Sequence, residues 1–599
     1  MGRKMMGAVA LLAVGIAAIV IFKLSQPFID RTGSSSFKGT RTENAPEKIN
    51  TISAVTISIA SSNTKEEWLE KVTERFNRVS EQISDYQIDG RPIHVDIIKE
   101  TVDGKLKDYR SGTMIDDTLK GKIRPTILSP GSESWVAKFI REWKSLHGTH
   151  PISETPQIVV RTPVVIAMWR SRAKTMGCYP ESGPDCTWKR IGRIAADPKG
   201  WQLFNRPEWG PFSFGYGAFG ESNSGTMGIV SVCMAGAGRI DGLSMTDIEE
   251  DSGCGKMIAD IEAAKVHSGK SDLWLLERMV AGGQNYLDAV ITYESNVIAI
   301  NRKYGEKLPE PLISVYPQDG TVLVGHPMAI LDSVPWVAKE QAAAARIYKE
   351  YLLAREQQEQ VLELGLRPGI DELKLTTPID PAYGADANAK IKALKLPETL
   401  IIDRIGEVWH GVKKKAVIVI AFDKSGSMKD KGKIDAARQG AKQFVSLMGA
   451  EDILVWLPFD NQIYSDRARG PKHAIGEDLA DEINSISANG GTALYDAVLA
   501  AFDILKDYRG RNKNTLRYGI VLLSDGRDTA KKSSLAKVEA VLAPQEGDPH
   551  GAQIHTICIG ADCDEPVLKK IANAAHGRFW KGNSEGDMVK IYSDIAKHY

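Results

Sequence analysis

The stretch Ala416-Val-Ile-Val-Ile-Ala-Phe-Asp423-Lys-Ser425-Gly-Ser427-Met decides the fold of the C-terminal part of the chain. Its apolar run up to Phe422 has the length and continuity of a strand buried on both faces of a parallel sheet. Three side-chain oxygen donors follow, on Asp423, Ser425 and Ser427. Because ligands of open α/β sheets bind outside the carboxyl ends of the strands, this loop predicts a binding site at that edge.

Two further oxygen donors lie in separate segments. Thr492 is in Gly490-Gly-Thr-Ala-Leu-Tyr-Asp, and Asp525 follows an apolar strand that ends in Leu523-Ser. Hydroxyls and carboxylates without Cys or His suit a hard divalent cation, with Mg²⁺ expected first and Ca²⁺ or Mn²⁺ also able to accept oxygen ligands. Each segment alone is also typical of an Asx turn or a helix cap. Three segments that meet at one edge favour the metal site.

The segments around these loops alternate between strand and helix. The spacing of apolar residues predicts a helix at 433–448 and strands at 453–459, 519–524 and 554–560. This alternation predicts an α/β fold with a doubly wound, Rossmann-like parallel sheet.

With these motifs in place, residues 414–599 resemble a von Willebrand factor type A (VWA) domain with a complete metal-ion-dependent adhesion site. The resemblance implies that three hydroxyls contact the ion and that two carboxylates bind it directly or through water. It also implies that a carboxylate of a protein partner completes the coordination. The hydroxyls are those of Ser425, Ser427 and Thr492, and the carboxylates are those of Asp423 and Asp525.

Length and charge constrain the rest of the chain. Its 599 residues suggest several domains. Lys plus Arg and Asp plus Glu number 76 each, so no net charge attracts nucleic acid, and no nucleic-acid partner is expected.

Catalytic motifs argue against an enzyme. Gly582-Asn-Ser-Glu-Gly matches the nucleophile pattern G-x-S-x-G, but it follows the last predicted strand and has only His598 downstream. The chain contains neither a Walker A lysine motif nor H-E-x-x-H. A non-catalytic binding protein is therefore expected.

The N-terminus predicts a membrane anchor. Arg3 and Lys4 precede an apolar run from Met6 to Phe22, and the sequence after it offers no small-x-small cleavage site nearby. We expect residues 1–28 to be an uncleaved signal anchor and single transmembrane helix that holds the bulk of the chain outside the cytoplasm. A cleaved signal is the alternative. Residues 29–49, rich in Ser, Gly, Thr and charge, predict a flexible tether.

The six cysteines fall into three close pairs, which favours disulfides in an oxidising compartment. The pairs are Cys178 with Cys186, Cys233 with Cys254, and Cys558 with Cys563. Metal ligation and ordinary buried thiols are the alternatives.

Residues 50–375 also alternate between strand and helix. Strands are predicted at 55–60, 93–98, 158–168, 290–300 and 311–315, and an amphipathic helix is predicted at 65–79. A second α/β domain is therefore expected.

Several phrases of this region resemble bacterial extracellular solute-binding proteins that serve ATP-driven importers. The resemblance implies two α/β lobes with the ligand between them, the second lobe covering about 160–295, and it places the chain in a bacterial membrane. The phrases are Thr162-Pro-Val-Val-Ile-Ala-Met, Trp188-Lys-Arg-Ile, Pro211-Phe-Ser-Phe-Gly, Ser222-Asn-Ser-Gly-Thr, Thr292-Tyr-Glu-Ser-Asn, Val315-Tyr-Pro-Gln-Asp-Gly and Pro335-Trp-Val.

Five residues are candidates for the solute cleft. Ser222, Ser224 and Thr226 stand at a predicted helix start, where free N–H groups attract an anion, whereas Glu294 suits a cation or amine and Tyr316 precedes a turn. These preferences conflict, so the sequence does not identify the solute. Helix capping by the serines, pairing of Glu294 with Lys or Arg, packing of Tyr316, and a cleft that only serves as a scaffold are the alternatives.

Residues 376–413 predict a linker with a short helix between the two domains. The expected function is recognition of a protein partner through the metal, with possible coupling to solute binding. The alternative is a solute receptor of an importer, in which the C-terminal domain is an accessory docking module.

Overall fold

The computed structural model describes residues 53–102, 105–180, 183–220, 222–269, 272–512, 516–525, 527–543, 551–560, 563–596 and 599. The predicted anchor at 1–28 and tether at 29–49 lie outside these residues. Within the described ranges, no helix combines the length and hydropathy needed to cross a bilayer.

The N-terminal domain is built on a sheet in which 11 described strands join in the order β2-β3-β1-β6-β12-β7-β10-β8-β9, with β11 and β13 also paired to β7. Its strands are β1 (Val55–Ser61), β2 (Gln87–Ile88), β3 (Arg91–Ile98), β6 (Ile127–Ser129), β7 (Gln157–Trp169), β8 (Phe214–Gly217), β9 (Lys265–Gly269), β10 (Ala289–Tyr293), β11 (Leu312–Val315), β12 (Leu323–Ile330) and β13 (Arg367–Pro368), and a separate hairpin is formed by β4 (Glu100–Val102) and β5 (Lys105–Lys107).

The long strand β7 takes part in two hydrophobic cores. Its first half pairs with β12 and β13, and Val159 and Val160 lie in a core with β1 and β3. Its second half pairs with β10 and β11, and Val164 and Ile166 lie in a different core. A single strand thus connects two separately packed regions.

Helices cover both regions of this sheet. They are α1 (Glu66–Ser80), α2 (Ser111–Leu119), α3 (Glu133–His147), α4 (Arg170–Thr175), α5 (Trp188–Ala196), α6 (Asn223–Ala237), α7 (Gly253–Ala264), α8 (Asp272–Gly282), α9 (Glu294–Tyr304), α10 (Lys339–Leu353) and α11 (Arg355–Glu363). The amphipathic pattern that predicted α1 is confirmed, because Trp68, Leu69, Val72 and Phe76 are all buried.

The strand predicted over 290–300 is wrong beyond Tyr293. Strand β10 ends there, and Glu294 begins helix α9. Val297, Ile298 and Asn301 are on the buried face of the helix, and the short apolar run 297–300 is equally compatible with a buried strand. An acidic residue in the first turn also favours the helix start.

The segment predicted as a linker, 376–413, is packed against the preceding domain. It contains helix α12 (Thr399–Val412), whose residues Ile402, Ile405 and Trp409 belong to the core around the second half of β7. A side chain on Gly406 would collide with Phe219, since an added Cβ would lie 2.6 Å from its ring. The helix is therefore an integral layer of the N-terminal domain.

The C-terminal domain has the doubly wound sheet that was predicted. Six strands of its described residues join in the order β16-β15-β14-β17-β18-β19, parallel except for the edge strand β16. They are β14 (Ala416–Asp423), β15 (Ile453–Phe459), β16 (Arg469–Pro471), β17 (Arg517–Ser524), β18 (Gln553–Ile559) and β19 (Phe579–Gly582).

Alternate residues of β14 face two different helical layers. Ile418 and Ile420 pack on the face covered by α13, α14 and α18, and Val417 and Val419 pack on the face covered by α15, α16 and α17. The helices are α13 (Lys433–Leu447), α14 (Lys472–Ser485), α15 (Leu494–Asn512), α16 (Leu535–Leu542), α17 (Glu565–Ala574) and α18 (Glu585–Ala596). Burial on both faces explains the unbroken apolar run in the sequence.

All three predicted disulfides are confirmed. Cys178 pairs with Cys186, Cys233 with Cys254, and Cys558 with Cys563. The second of these joins α6 to α7, and the third closes the loop after β18.

A buried polar cluster connects the two domains. Glu262 on α7 accepts hydrogen bonds from Lys265 Nζ at 3.1 Å and from Trp409 Nε1 at 2.7 Å. It also accepts a hydrogen bond from the Tyr216 hydroxyl and an ion-paired one, at 2.6 Å, from Arg517 at the start of β17. Burial acts to raise the pKa of Glu262, but the charges of Lys265 and Arg517 outweigh it and hold that pKa below its usual range. The carboxylate is therefore ionised and fixes the C-terminal sheet to the N-terminal domain.

Candidate metal centre

Asp423 is the last residue of β14, and its carboxylate is held in one orientation. Oδ1 accepts the Ser425 N–H at 2.8 Å, and Oδ2 accepts the Ser524 hydroxyl at 2.6 Å. The residue is fully buried, and burial raises its pKa to about 6 against the lowering effect of these hydrogen bonds. Because this buried carboxylate has few charged partners, a bound cation would stabilise its ionised form.

The two serines of this loop join Asp423 to Asp525. Ser425 Oγ and Ser427 Oγ lie 3.1 Å apart, and Ser427 Oγ donates to Asp525 Oδ1 at 2.7 Å. Ser425 is buried, whereas Ser427 is exposed, so the outer end of this row of oxygens faces solvent. Four of the five predicted ligands therefore form one hydrogen-bonded chain.

Thr492, the fifth predicted ligand, lies on the loop that contacts this row. Gly426 N–H donates to Gly490 O at 2.9 Å, which brings the two loops together. The φ of Gly490 is +78°, and an added Cβ would lie 2.8 Å from Asn461 Oδ1, so glycine is required at this turn. Thr492 is buried, and its N–H donates to Thr529 Oγ1 at 2.8 Å.

The residues present suit a hard divalent cation. Two carboxylates and two hydroxyls lie in one row at the carboxyl edge of the sheet, the Thr492 loop lies against that row, and all five side chains carry oxygen donors. Among the described residues, no group of three or more His, Cys, Asp or Glu side chains is placed to hold a metal. The two carboxylates balance the charge of a divalent cation, and the three hydroxyls add no further negative charge.

Two lysines beside these ligands were not predicted. Lys433 Nζ donates to Asp525 Oδ2 at 2.6 Å, and Lys424, within the loop, pairs with Asp460. Sequence patterns give no signal for either contact, because lysine is not expected as a metal ligand and each partner is distant in the sequence. Asp525 lies 92 residues from Lys433, and Asp460 lies 36 residues from Lys424.

The helix start at Ser222 is satisfied by its own residues. Ser222 Oγ accepts the Gly225 N–H at 3.2 Å and lies 2.9 Å from Ser224 Oγ. Thr226 Oγ1 donates to Ser222 O and accepts the Gly220 N–H. Ser222 and Ser224 nevertheless line a cavity of about 1020 Å³ between the two regions of the N-terminal sheet, whereas Thr226 serves the cap.

The structure does not bring Glu294 and Tyr316 to this cavity. Glu294 is fully buried and forms a bidentate ion pair with Arg367, with contacts of 2.8 and 2.9 Å. The Tyr316 hydroxyl donates to the same carboxylate. The expectation that these two residues face the cleft is corrected, since each satisfies the other in the core.

Asn223, which the sequence did not single out, bridges the two sides of the cavity. Its Nδ2 donates to Gly131 O at 2.8 Å and to the Tyr293 hydroxyl at 2.6 Å. Its Oδ1 accepts from Ser132 Oγ at 3.0 Å and from Trp135 Nε1 at 2.9 Å. The cavity wall is completed by residues of the C-terminal domain, which include Lys581, Asp587 and Lys590.

Comparisons with known proteins bear on the C-terminal domain. No family model matches the chain. Over 168 residues the chain is 25% identical to the human calcium-activated chloride channel regulator 4. The matched segment is 27% of this chain but only 16% of that protein's length.

Similar solved structures include a von Willebrand factor type A protein from Catenulispora acidiphila, with a TM-score of 0.27 and 19% identity over 31% of this chain and 42% of that one. The conserved hypothetical protein BatB from Bacteroides thetaiotaomicron has a TM-score of 0.25 and 16% identity, over 31% of this chain and 98% of that one. The proximal thread matrix protein 1 of the mussel byssus, with a zinc-occupied adhesion motif, has a TM-score of 0.24 and 16% identity, over 35% of this chain and 55% of that one. These TM-scores are low, so the description of the C-terminal domain rests on its own strand order, that of a doubly wound and largely parallel sheet.

Proposed function

We propose that this chain is a membrane-anchored, extracytoplasmic binding protein whose VWA-type domain recognises a protein partner through a divalent cation. The observation that carries the proposal is the row of oxygens from Asp423 through Ser425 and Ser427 to Asp525, with the Thr492 loop against it. Mg²⁺ is the first candidate, and Ca²⁺ or Mn²⁺ are alternatives.

The charge balance of the site favours a carboxylate partner. Three of the five ligands are neutral hydroxyls, so a bound divalent ion is not overcompensated by the protein. Exposure of Ser427 leaves one side of the site open to solvent. A carboxylate from another protein could complete the coordination there, where it would gain a bond to the metal.

The proposal assigns no catalytic role. Ser584, the serine of the G-x-S-x-G match, accepts the Asp587 N–H at 3.1 Å at the start of α18. This is the contact of a helix cap, which supports a structural reading of that serine. The proposal includes no catalytic base.

The location is proposed from the cysteines and the N-terminal sequence. Three disulfides are typical of proteins that fold in an oxidising compartment. The apolar run from Met6 to Phe22 would supply a single-pass anchor in a bacterial membrane.

For the N-terminal domain we propose a bilobal, solute-binding-protein-like role. The two cores that share β7, and the cavity between them, support it. The alternative function, a solute receptor of an ATP-driven importer with an accessory VWA-type domain, is favoured by the same cavity. Because Lys581, Asp587 and Lys590 line it, a solute there would contact the C-terminal domain, which offers a physical route for coupling.

Calorimetric titration of the full chain with Mg²⁺ tests the metal site. Asp423→Asn keeps the shape of the side chain but removes its charge, and we expect binding to fall below detection while the circular dichroism spectrum stays unchanged. Asp430→Asn is the matched control, because Asp430 is an exposed acid of the same loop outside the row of ligands. Equal binding by all three proteins would refute the assigned site.

The two functions are separated by partner and solute assays. Proximity labelling on intact cells, with and without chelator, should identify a partner whose labelling is lost in EDTA and in Asp423→Ala. A thermal-shift panel of small solutes should show a specific stabiliser if the importer role is correct. Stabilisation by a solute without any chelator-sensitive partner would favour the alternative.

A further inference from the structure

We infer that Lys433 is a built-in counter-ion of the metal centre, which stabilises the site in its metal-free state and weakens its affinity for the cation. The inference rests on the proposed metal site. Lys433 Nζ lies 2.6 Å from Asp525 Oδ2, and the two side chains are 11% and 0% exposed. This is a largely desolvated ion pair at a predicted ligand, quite unlike a surface contact.

The position of Lys433 is fixed by backbone on both sides. It is the first residue of α13 and follows Gly432, whose φ of +71° turns the chain into the helix. Its aliphatic stem packs on Gly560 at the end of β18, where an added Cβ would lie 2.7 Å from Lys433 Cε. A side chain at residue 560 would displace the lysine, so this glycine keeps the ammonium group at the site.

Local helix energetics do not explain a lysine here. The N-terminus of a helix carries partial positive charge, and a cation in the first turn is unfavourable. The ion pair with Asp525 compensates for that repulsion. The ion pair thus supplies a favourable interaction that the helix terminus does not.

The charges of the site show what the lysine does. The carboxylates of Asp423 and Asp525 repel each other, and the charge of Asp525 contributes to the raised pKa of Asp423. With Lys433 the metal-free centre carries one net negative charge instead of two. The lysine therefore stabilises the metal-free protein, and it opposes the entry of a divalent cation by the same electrostatic interaction.

The ion pair also limits how Asp525 can meet the metal. Its Oδ2 is held by the ammonium group, and its Oδ1 accepts the Ser427 hydroxyl. The negative charge of Asp525 is then shared between the bound cation and the ammonium group of Lys433. The cation is neutralised less, and it attracts the carboxylate of a partner more strongly.

The test compares Lys433→Met with Lys429→Met in the full chain. Both variants remove one lysine charge, and the two positions are only four residues apart, but Lys429 is exposed. For Lys433→Met we expect a Mg²⁺ dissociation constant lower by about tenfold or more. We also expect a melting temperature that falls in EDTA and recovers in saturating Mg²⁺, because only the metal-free state loses a counter-ion. Lys429→Met should match the wild type in both measurements.

A purely structural lysine gives a different result. Equal or weaker Mg²⁺ affinity in Lys433→Met, with the same loss of melting temperature in EDTA and in Mg²⁺, would overturn the inference. If Lys433→Met does not fold, Lys433→Gln takes its place with the same expectations, and Lys433→Arg, which keeps the charge, should bind Mg²⁺ like the wild type. Failure of the wild type to bind Mg²⁺, Mn²⁺ or Ca²⁺ would instead refute the proposed metal function, and with it this inference.

Discussion

Replacement of Glu262 by Gln should uncouple the two domains. The carboxylate is 1% exposed and accepts hydrogen bonds from two cationic side chains, those of Lys265 and Arg517. Removal of one partner from a buried charge pair typically costs about 3–5 kcal/mol, because the other charge is left uncompensated. Burial already lowers the pKa of Lys265 to about 7, so the lysine can lose its proton, whereas the arginine cannot. We therefore expect a loss near the lower end, about 3 kcal/mol.

Differential scanning calorimetry of the full chain is the assay. Arg517 belongs to the C-terminal sheet and Glu262 to the N-terminal domain, so the loss should separate the unfolding of the two domains into distinct transitions. The control is Glu277→Gln, which removes an exposed ion pair with Lys303 that spans a similar 2.6 Å. An exposed pair is worth about 1 kcal/mol or less. Equal, small shifts in both variants, with the transitions still merged, would refute the reasoning.

Three further outcomes are expected. Burial lowers the pKa of Lys65 to about 7, below its unfolded value of 10.5, so the free energy of unfolding should rise with pH between these values. In urea titrations of Lys65→Met this rise should be smaller by up to about 1.4 kcal/mol per pH unit, and equal slopes in variant and wild type would contradict the reasoning. The Cys233–Cys254 bridge closes a loop with a sequence separation of 21, and a double Ala variant should lose about 3 kcal/mol in denaturant unfolding, whereas a loss under 1 kcal/mol would argue against a structural role. Gly490→Ala forces φ of +78° on a residue with a side chain, so Mg²⁺ affinity measured by calorimetry should drop by tenfold or more, and an unchanged constant would show that this turn does not place Thr492.

The candidate metal centre could be predicted from the sequence because its acidic residues obey a topological rule. Asp423 and Asp525 each follow an apolar strand, and the carboxyl ends of neighbouring parallel strands must meet at one edge. The paired cysteines were also informative, since separations of 8 and 5 residues keep Cys178 near Cys186 and Cys558 near Cys563, whereas the Cys233–Cys254 bridge, with a separation of 21, depends on the packing of two helices.

Other features depend on contacts that no local pattern encodes. Residues 290–300 combine apolar residues at both ends with a polar stretch in the middle, and this pattern did not reveal that the strand stops at Tyr293 and a helix follows. Glu294 finds Arg367, 73 residues away, and Lys433 finds Asp525, 92 residues away. Such pairings are fixed by tertiary packing, which decides whether a charged residue serves a site or the core.

Anomalous diffraction from crystals grown with Mn²⁺ tests the central claim most directly. The account predicts one strong peak at the carboxyl edge of the C-terminal sheet, in contact with the oxygens of Ser425 and Ser427 and within reach of Asp423, Thr492 and Asp525. The peak should disappear in Asp423→Asn and persist in Asp430→Asn. A manganese ion bound elsewhere, or a peak that is the same in Asp423→Asn, would contradict the account.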